Sequence, residues 1–117
     1  MKPEELRDLA INTLDEMKGI DIVPMDVRTV TSITDYMVIC TGRSSRHVKA
    51  LAESVSTAAK EKKVTFVRTE GEQESEWVLV DLGDVVVHVM LADARAFYSL
   101  EDLWEPVKEL RDNKTSD

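Results

Sequence analysis

The chain has 117 residues, 43% hydrophobic and 32% charged, the proportions of one soluble domain able to build its own core. Its net charge of −8 argues against direct binding to a nucleic-acid backbone, which needs a basic surplus, and leaves basic protein partners open. No apolar stretch approaches the roughly 20 residues of a membrane helix, Met1-Lys2-Pro3-Glu4-Glu5 does not resemble a signal peptide, and Cys40 has no second cysteine to pair with, which together fit a reducing cytoplasm.

Pro3 to Lys18 places Leu6, Leu9, Ala10, Leu14 and Met17 at helical spacing, with Pro3 suited to the first turn and Gly19 as a stop signal. Ile20 to Val30 reads as extended, and Pro24 keeps it from the centre of a sheet. Asp35 to Thr41 has the continuous apolar pattern of a buried strand. Gly42-Arg43-Ser44-Ser45 then turns into a helix that Ser44 or Ser45 caps, with Val48, Leu51, Ala52, Val55, Ala58 and Ala59 as its apolar stripe. Val64 to Arg68 is a third strand by pattern, and Glu70 to Glu76 an acidic surface loop. Trp77 to Asp81 and Asp84 to Leu91 form a hairpin around Leu82-Gly83. Ala92 to Tyr98 is predicted helical, Leu100 to Trp104 a further short turn or helix, and residues 105–117 a polar, flexible tail behind a single domain of residues 1–104. The order α-β-β-α-β-β-β-α gives an α/β fold in which a single mixed sheet is flanked by helices.

A two-residue Leu82-Gly83 turn puts Asp81 opposite Asp84, Leu79 opposite Val86 and Trp77 opposite His88 on one face, with Val78, Val80, Val85, Val87 and Val89 on the other. The valine face is core. The Trp77/His88 face is mixed, and two readings stay open: Trp77 anchors an interaction surface, or helices cover both faces and Trp77 is core. Leucine is a poor first turn residue, so a bulge that shifts the register by one is a further alternative.

The search for chemistry yields little. Ser44, Ser45 and His47 lie together at a helix start, where serines cap, and no G-x-S-x-G elbow is present. Cys40, His47 and His88 have no metal-ligand spacing. Asp81 and Asp84 flank a turn, where carboxylates are ordinarily solvated turn formers. No catalytic residue, metal or cofactor is expected. The best alternative is an anion site for phosphate or a nucleotide at the turn carrying Arg43, Ser44, Arg46 and His47, although it lacks the lysine and glycine spacing of a P-loop.

Three ordered blocks carry a family resemblance. Trp77-Val78-Leu79-Val80-Asp81-Leu82-Gly83-Asp84-Val85-Val86-Val87-His88-Val89 resembles the signature of the ribosome-silencing factors, also called Iojap or RsfS. Arg95 through Tyr98 with Leu100-Glu101-Asp102-Leu103-Trp104 is similar to the R-x-x-Y-x-L-E-x-L-W ending of that family. Ser32 to Gly42 with Ser44 to Val48 matches its S-x-T-D-x-x-V-I-x-T-G-x-S-x-x-H segment. Together they run from about Leu6 to Trp104; the Glu70 to Glu76 loop and the tail after Trp104 match nothing in the pattern.

The resemblance implies a nucleotidyltransferase-like sheet without the catalytic carboxylates, because Val64 to Arg68, the strand expected to bear them, has no acid. It implies a cytoplasmic, non-enzymatic repressor of translation. Such a protein binds the large ribosomal subunit through ribosomal protein L-fourteen and sterically blocks joining of the small subunit when nutrients are scarce. By resemblance the contact falls on Asp35, Tyr36, Trp77, Leu79, His88, Tyr98, Leu100 and Trp104; the sheet-face argument supports Trp77, Leu79 and His88 alone. No membrane or sequence-specific nucleic-acid partner is implied, and an apolar face of this kind allows a weak homodimer.

Overall fold

The structure, a computed structural model, describes residues 1–73 and 75–100. Eight elements follow in chain order: α1 (Pro3–Glu16), β1 (Ile20–Asp26), β2 (Tyr36–Gly42), α2 (Ser45–Glu61), β3 (Arg68–Glu70), β4 (Trp77–Asp81), β5 (Val85–Leu91) and α3 (Ala92–Tyr98). The strands form one sheet in the order β1-β2-β5-β4-β3. β2 and β5 are parallel, and the other three pairings are antiparallel, so the sheet is mixed as the sequence predicts. Trp104 and the expected tail, residues 105–117, lie outside the described residues. No helix among the described residues is long and apolar enough to cross a membrane.

β2 lies inside the sheet, and all seven of its residues are buried. A strand covered on both faces has no polar side to offer, which is why Tyr36-Met37-Val38-Ile39-Cys40 runs without alternation. On one face Tyr36, Val38 and Cys40 join Val78, Val80, Val85, Val87 and Val89 under α1 and α2 to form the main core. Burial of each valine side chain is worth about 1.5–3 kcal/mol. The opposite face holds a smaller cluster of Met25, Val27, Met37, Ile39, Met90 and Leu100, with Ala94 of α3 packed against it. α2 starts close to the end of β2 because Gly42 has no side chain: a Cβ there would stand 2.6 Å from Val48 Cγ2.

Both long helices end in the same way: the first stops at Gly19 as expected, and the second corrects one expectation. At the end of α1, Lys18 N–H donates to Asp15 O and Gly19 N–H to Leu14 O, with Lys18 at a left-handed φ of 63°. At the end of α2, Lys63 N–H donates to Lys60 O and Val64 N–H to Ala59 O, with Lys63 at φ 65°. These are paired Schellman-type closures. Gly19 is therefore not the left-handed residue; it is small because a Cβ would fall 2.5 Å from Cys40 Sγ. Val64 is taken up by the α2 closure and packs with Val67 against the main core. The third strand accordingly begins at Arg68 rather than spanning 64–68, and Glu70 belongs to it rather than to the following loop.

The hairpin register also differs from expectation. Leu79 pairs with His88, Trp77 with Met90 and Asp81 with Val86. The turn residues are Gly83-Asp84, flanked by Leu82 and Val85, and Leu82 N–H donates to Val85 O at 2.8 Å. Gly83 adopts φ 85°, which glycine alone takes without penalty, and Leu82 is freed from the turn to become a buried core residue. The slide is by two residues, so every side chain keeps its predicted face. No one-residue bulge intervenes, and the Asp81–Asp84 pair does not form.

Lys18 and Lys63 are exposed, and each holds a conformation that costs a side-chain-bearing residue about 1 kcal/mol. Lys18→Gly and Lys63→Gly should each stabilise the fold by up to about 1 kcal/mol, read as a higher urea midpoint at unchanged slope.

Candidate interaction surface

The register defines the rows that cross the second sheet face. Val23, Ile39, His88, Leu79 and Glu70 stand side by side from β1 to β3, and the next row holds Thr41, Met90 and Trp77. Trp77 and His88 are thus diagonal neighbours instead of direct partners. Their side chains still meet: Trp77 Nε1–H donates to His88 Nδ1 at 2.9 Å, and the rings lie 5.8 Å apart between centroids. An indole N–H only donates, so Nδ1 is the acceptor and the neutral imidazole carries its proton on Nε2. His88 is 5% exposed, and burial pushes its pKa down to about 4.

Tyr98 completes the cluster. Its ring packs on Trp77 at a centroid distance of 4.8 Å, and Phe97 meets Tyr98 edge-on at 5.1 Å. Trp77 and Leu79 are half-buried, whereas Tyr98 is 51% and Phe97 81% exposed. Ala94 and Tyr98, four residues apart, turn one side of α3 toward the sheet and leave Phe97 off that side. The expected site did not include Phe97. The same four-residue spacing was its only signal, and a seven-residue segment gives that signal too little length to stand out.

The structure therefore gathers Trp77, Leu79, His88, Tyr98 and Leu100 around one sheet face, with Leu100 buried in the smaller cluster. Asp35 and Tyr36 are not part of this group. They sit at the opening of β2, about 17–20 Å along the strand direction from the level of Trp77. Tyr36 is buried on the helix-covered face, with the guanidinium carbons of Arg7 and Arg28 at 4.7 and 5.2 Å from its ring centre. Arg28 is itself bound to Asp26, whose carboxyl is pushed down to about 2 by the side-chain and backbone hydrogen bonds of Arg28.

At the turn after β2, Ser44 Oγ accepts from His47 N–H at 3.1 Å and caps α2. His47 Nδ1 accepts from Arg43 N–H at 3.0 Å, and Nε2 stands 2.9 Å from Met17 O, to which it donates. Two of the four residues suggested for an anion site are thus engaged in capping and in tying α2 to the end of α1. Arg43 and Arg46 remain exposed. The argument against metal chemistry also changes with the strand: β3 does carry one acid, Glu70, whose carboxylate is paired to Arg68 at 2.8 Å, and the next acid, Glu72, lies beyond the strand in the turn that follows Gly71. Among the described residues, no three His, Cys, Asp or Glu side chains are grouped to hold a metal ion.

The folded-state pKa of His88 lies below its unfolded value of about 6.5, so the unfolded chain binds the extra proton between those limits. Stability should be full above pH ~6.5 and fall as the pH drops toward 4, by up to about 3 kcal/mol. Protonation at Nδ1 would also break the Trp77 hydrogen bond. Denaturant titrations across this range should show the slope in the wild type and a flatter profile in His88→Asn.

Comparison with known proteins places this architecture. A family model described as ribosomal silencing factor during starvation matches residues 1–117. Ribosomal silencing factor RsfS of Chromobacterium violaceum is 49% identical over 104 residues, covering 89% of this chain and 85% of that protein. The protein of the same name from Haemophilus influenzae is 48% identical over 99 residues, covering 85% and 97%. A crystal structure of a Chromobacterium violaceum protein superposes with a TM-score of 0.87 at 49% identity, covering 89% of this chain and 87% of that one. The sheet order, the two-faced burial and these similarities lead to one conclusion: this chain belongs to the ribosomal silencing factor family, RsfS.

Proposed function

We propose that this chain binds the large ribosomal subunit through ribosomal protein L-fourteen and blocks joining of the small subunit by occupying the space between them, repressing translation when nutrients are limiting. The observation that carries the reading is the partly exposed Trp77–Tyr98–Phe97 cluster, presented by a member of a silencing-factor family. Rigid aromatic side chains with few rotatable bonds bind at low entropic cost and are the usual anchors of protein interfaces. The net charge of −8 adds attraction to a basic ribosomal protein. Steric blocking needs affinity and bulk alone, so the reading assigns no catalytic residue and no cofactor, and the site of action is the cytoplasm.

In this reading Trp77, Tyr98 and Phe97 form the centre of the contact, and Leu79 borders it. His88 holds the Trp77 indole in place from below, and Leu100 anchors the chain beyond α3. Asp35 and Tyr36 would form a separate outlying contact. Two free copies of the chain would pair weakly through the same aromatic patch until the ribosome competes for it.

Co-sedimentation with isolated large subunits, small subunits and joined ribosomes tests the reading. The wild type should be retained on large subunits and excluded from joined ribosomes. Tyr98→Ala and Phe97→Ala should weaken retention about tenfold or more while leaving the melting temperature within a degree or two of the wild type. Trp77→Ala should lose both binding and stability, because it also leaves the Nδ1 acceptor of buried His88 without its donor. Unchanged retention of the Tyr98 and Phe97 variants would remove the aromatic patch from the contact.

A further inference from the structure

We infer that the crevice at the carboxyl ends of β2 and β5 binds a small zwitterion of the amino-acid class. β2 and β5 are parallel neighbours, and the chain leaves them toward opposite faces of the sheet. α2 folds back over the valine face, while α3 crosses to the face that carries Trp77. Backbones that part in this way open a gap above the strand ends, which is where open α/β sheets take their ligands. Here the gap measures about 800 Å³, within the range of small-molecule sites.

The charges on its walls select the ligand. Asp21, Arg43 and Asp93 line the crevice, are exposed, and take part in none of the ion pairs found among the described residues. Arg95, also in the wall, is held in place: its Nη1 donates to Asp21 O at 2.7 Å and to Thr41 Oγ1 at 2.9 Å. Among the described residues, a simple anion placed here meets the carboxylates of Asp21 and Asp93, and a simple cation meets the guanidinium of Arg43. A molecule with an ammonium at one end and a carboxylate at the other meets opposite charge at both. Ile20 and Leu91 supply apolar wall for its side chain.

α3 forms one side of this crevice and at its far end sets Tyr98 on Trp77. A helix of seven residues is too short to be stable by itself, so its position depends on what it packs against. A ligand that bridges Asp93 on α3 and Arg43 beyond β2 fastens α3 to the strand ends.

The test uses the isolated chain, so it is independent of any ribosome measurement. Melting temperature is read against each free amino acid at about 10 mM, with inorganic phosphate and putrescine as the anion and cation probes. At least one amino acid should raise the melting temperature, and neither phosphate nor putrescine should. Asp93→Asn and Arg43→Gln, at exposed positions, should melt like the wild type without ligand and lose the shift. Hydrogen exchange at residues 92–98 should slow with the same amino acid. The proposal is overturned if no amino acid shifts the melt, if phosphate or putrescine shifts it equally, if the variants respond like the wild type, or if α3 gains no protection.

Discussion

The parallel pairing of β2 with β5 is the constraint from which the rest of the structure follows. Parallel neighbours cannot be joined by a tight turn, so the chain between them must cross over, and α2 with the β3–β4 edge supplies that crossing. A parallel pair also needs cover on both faces. The two long helices cover one. The other receives α3 and a cluster of three methionines, Ile39, Val27 and Leu100. Among the described residues the cover of that second face is incomplete, and Trp77 and Leu79 are half-buried there.

The aromatic cluster therefore joins two features that the sequence presents as alternatives, packing against the core and partial exposure. Trp77 packs against buried neighbours on its sheet side and meets Tyr98 on the other. Its indole N–H is satisfied internally by His88, so docking a partner need not supply a polar group for it. A surface whose anchor is already hydrogen-bonded and held by packing loses little freedom on binding, and pre-organisation of that kind raises affinity without added area.

Much of this was legible in the sequence, for physical reasons that differ between elements. β2 shows as an unbroken apolar run because it is buried on both faces, and α1 and α2 show as stripes because each is buried on one. The hairpin faces were readable because alternation has a period of two, but the register was not. Whether Leu82 belongs to the turn or to the core depends on whether the sheet has room beneath it, and no local pattern encodes that room. Val64 to Val67 misled because valine and phenylalanine favour strands, whereas the closure of α2 claims Val64 before any pairing begins. At the candidate site, the shared face of Trp77, Leu79 and His88 followed from alternation. Tyr98 and Leu100 came from family resemblance alone, and Phe97 from neither. Asp35 and Tyr36, just before and at the first position of β2, lie at the opposite end of that strand from the level of Trp77.

The two outer strands of the sheet bear on a different property. β1 contains Pro24, which cannot donate to a further strand, and its pairing with β2 is irregular between Ile20 and Val23. β3 is three residues long and carries an exposed arginine and glutamate. Both edges are poor templates for another copy, the arrangement by which sheet proteins avoid edge-to-edge growth. Whatever association the exposed aromatic rings permit, it need not spread strand by strand, because the sheet edges offer stray strands almost nothing to extend.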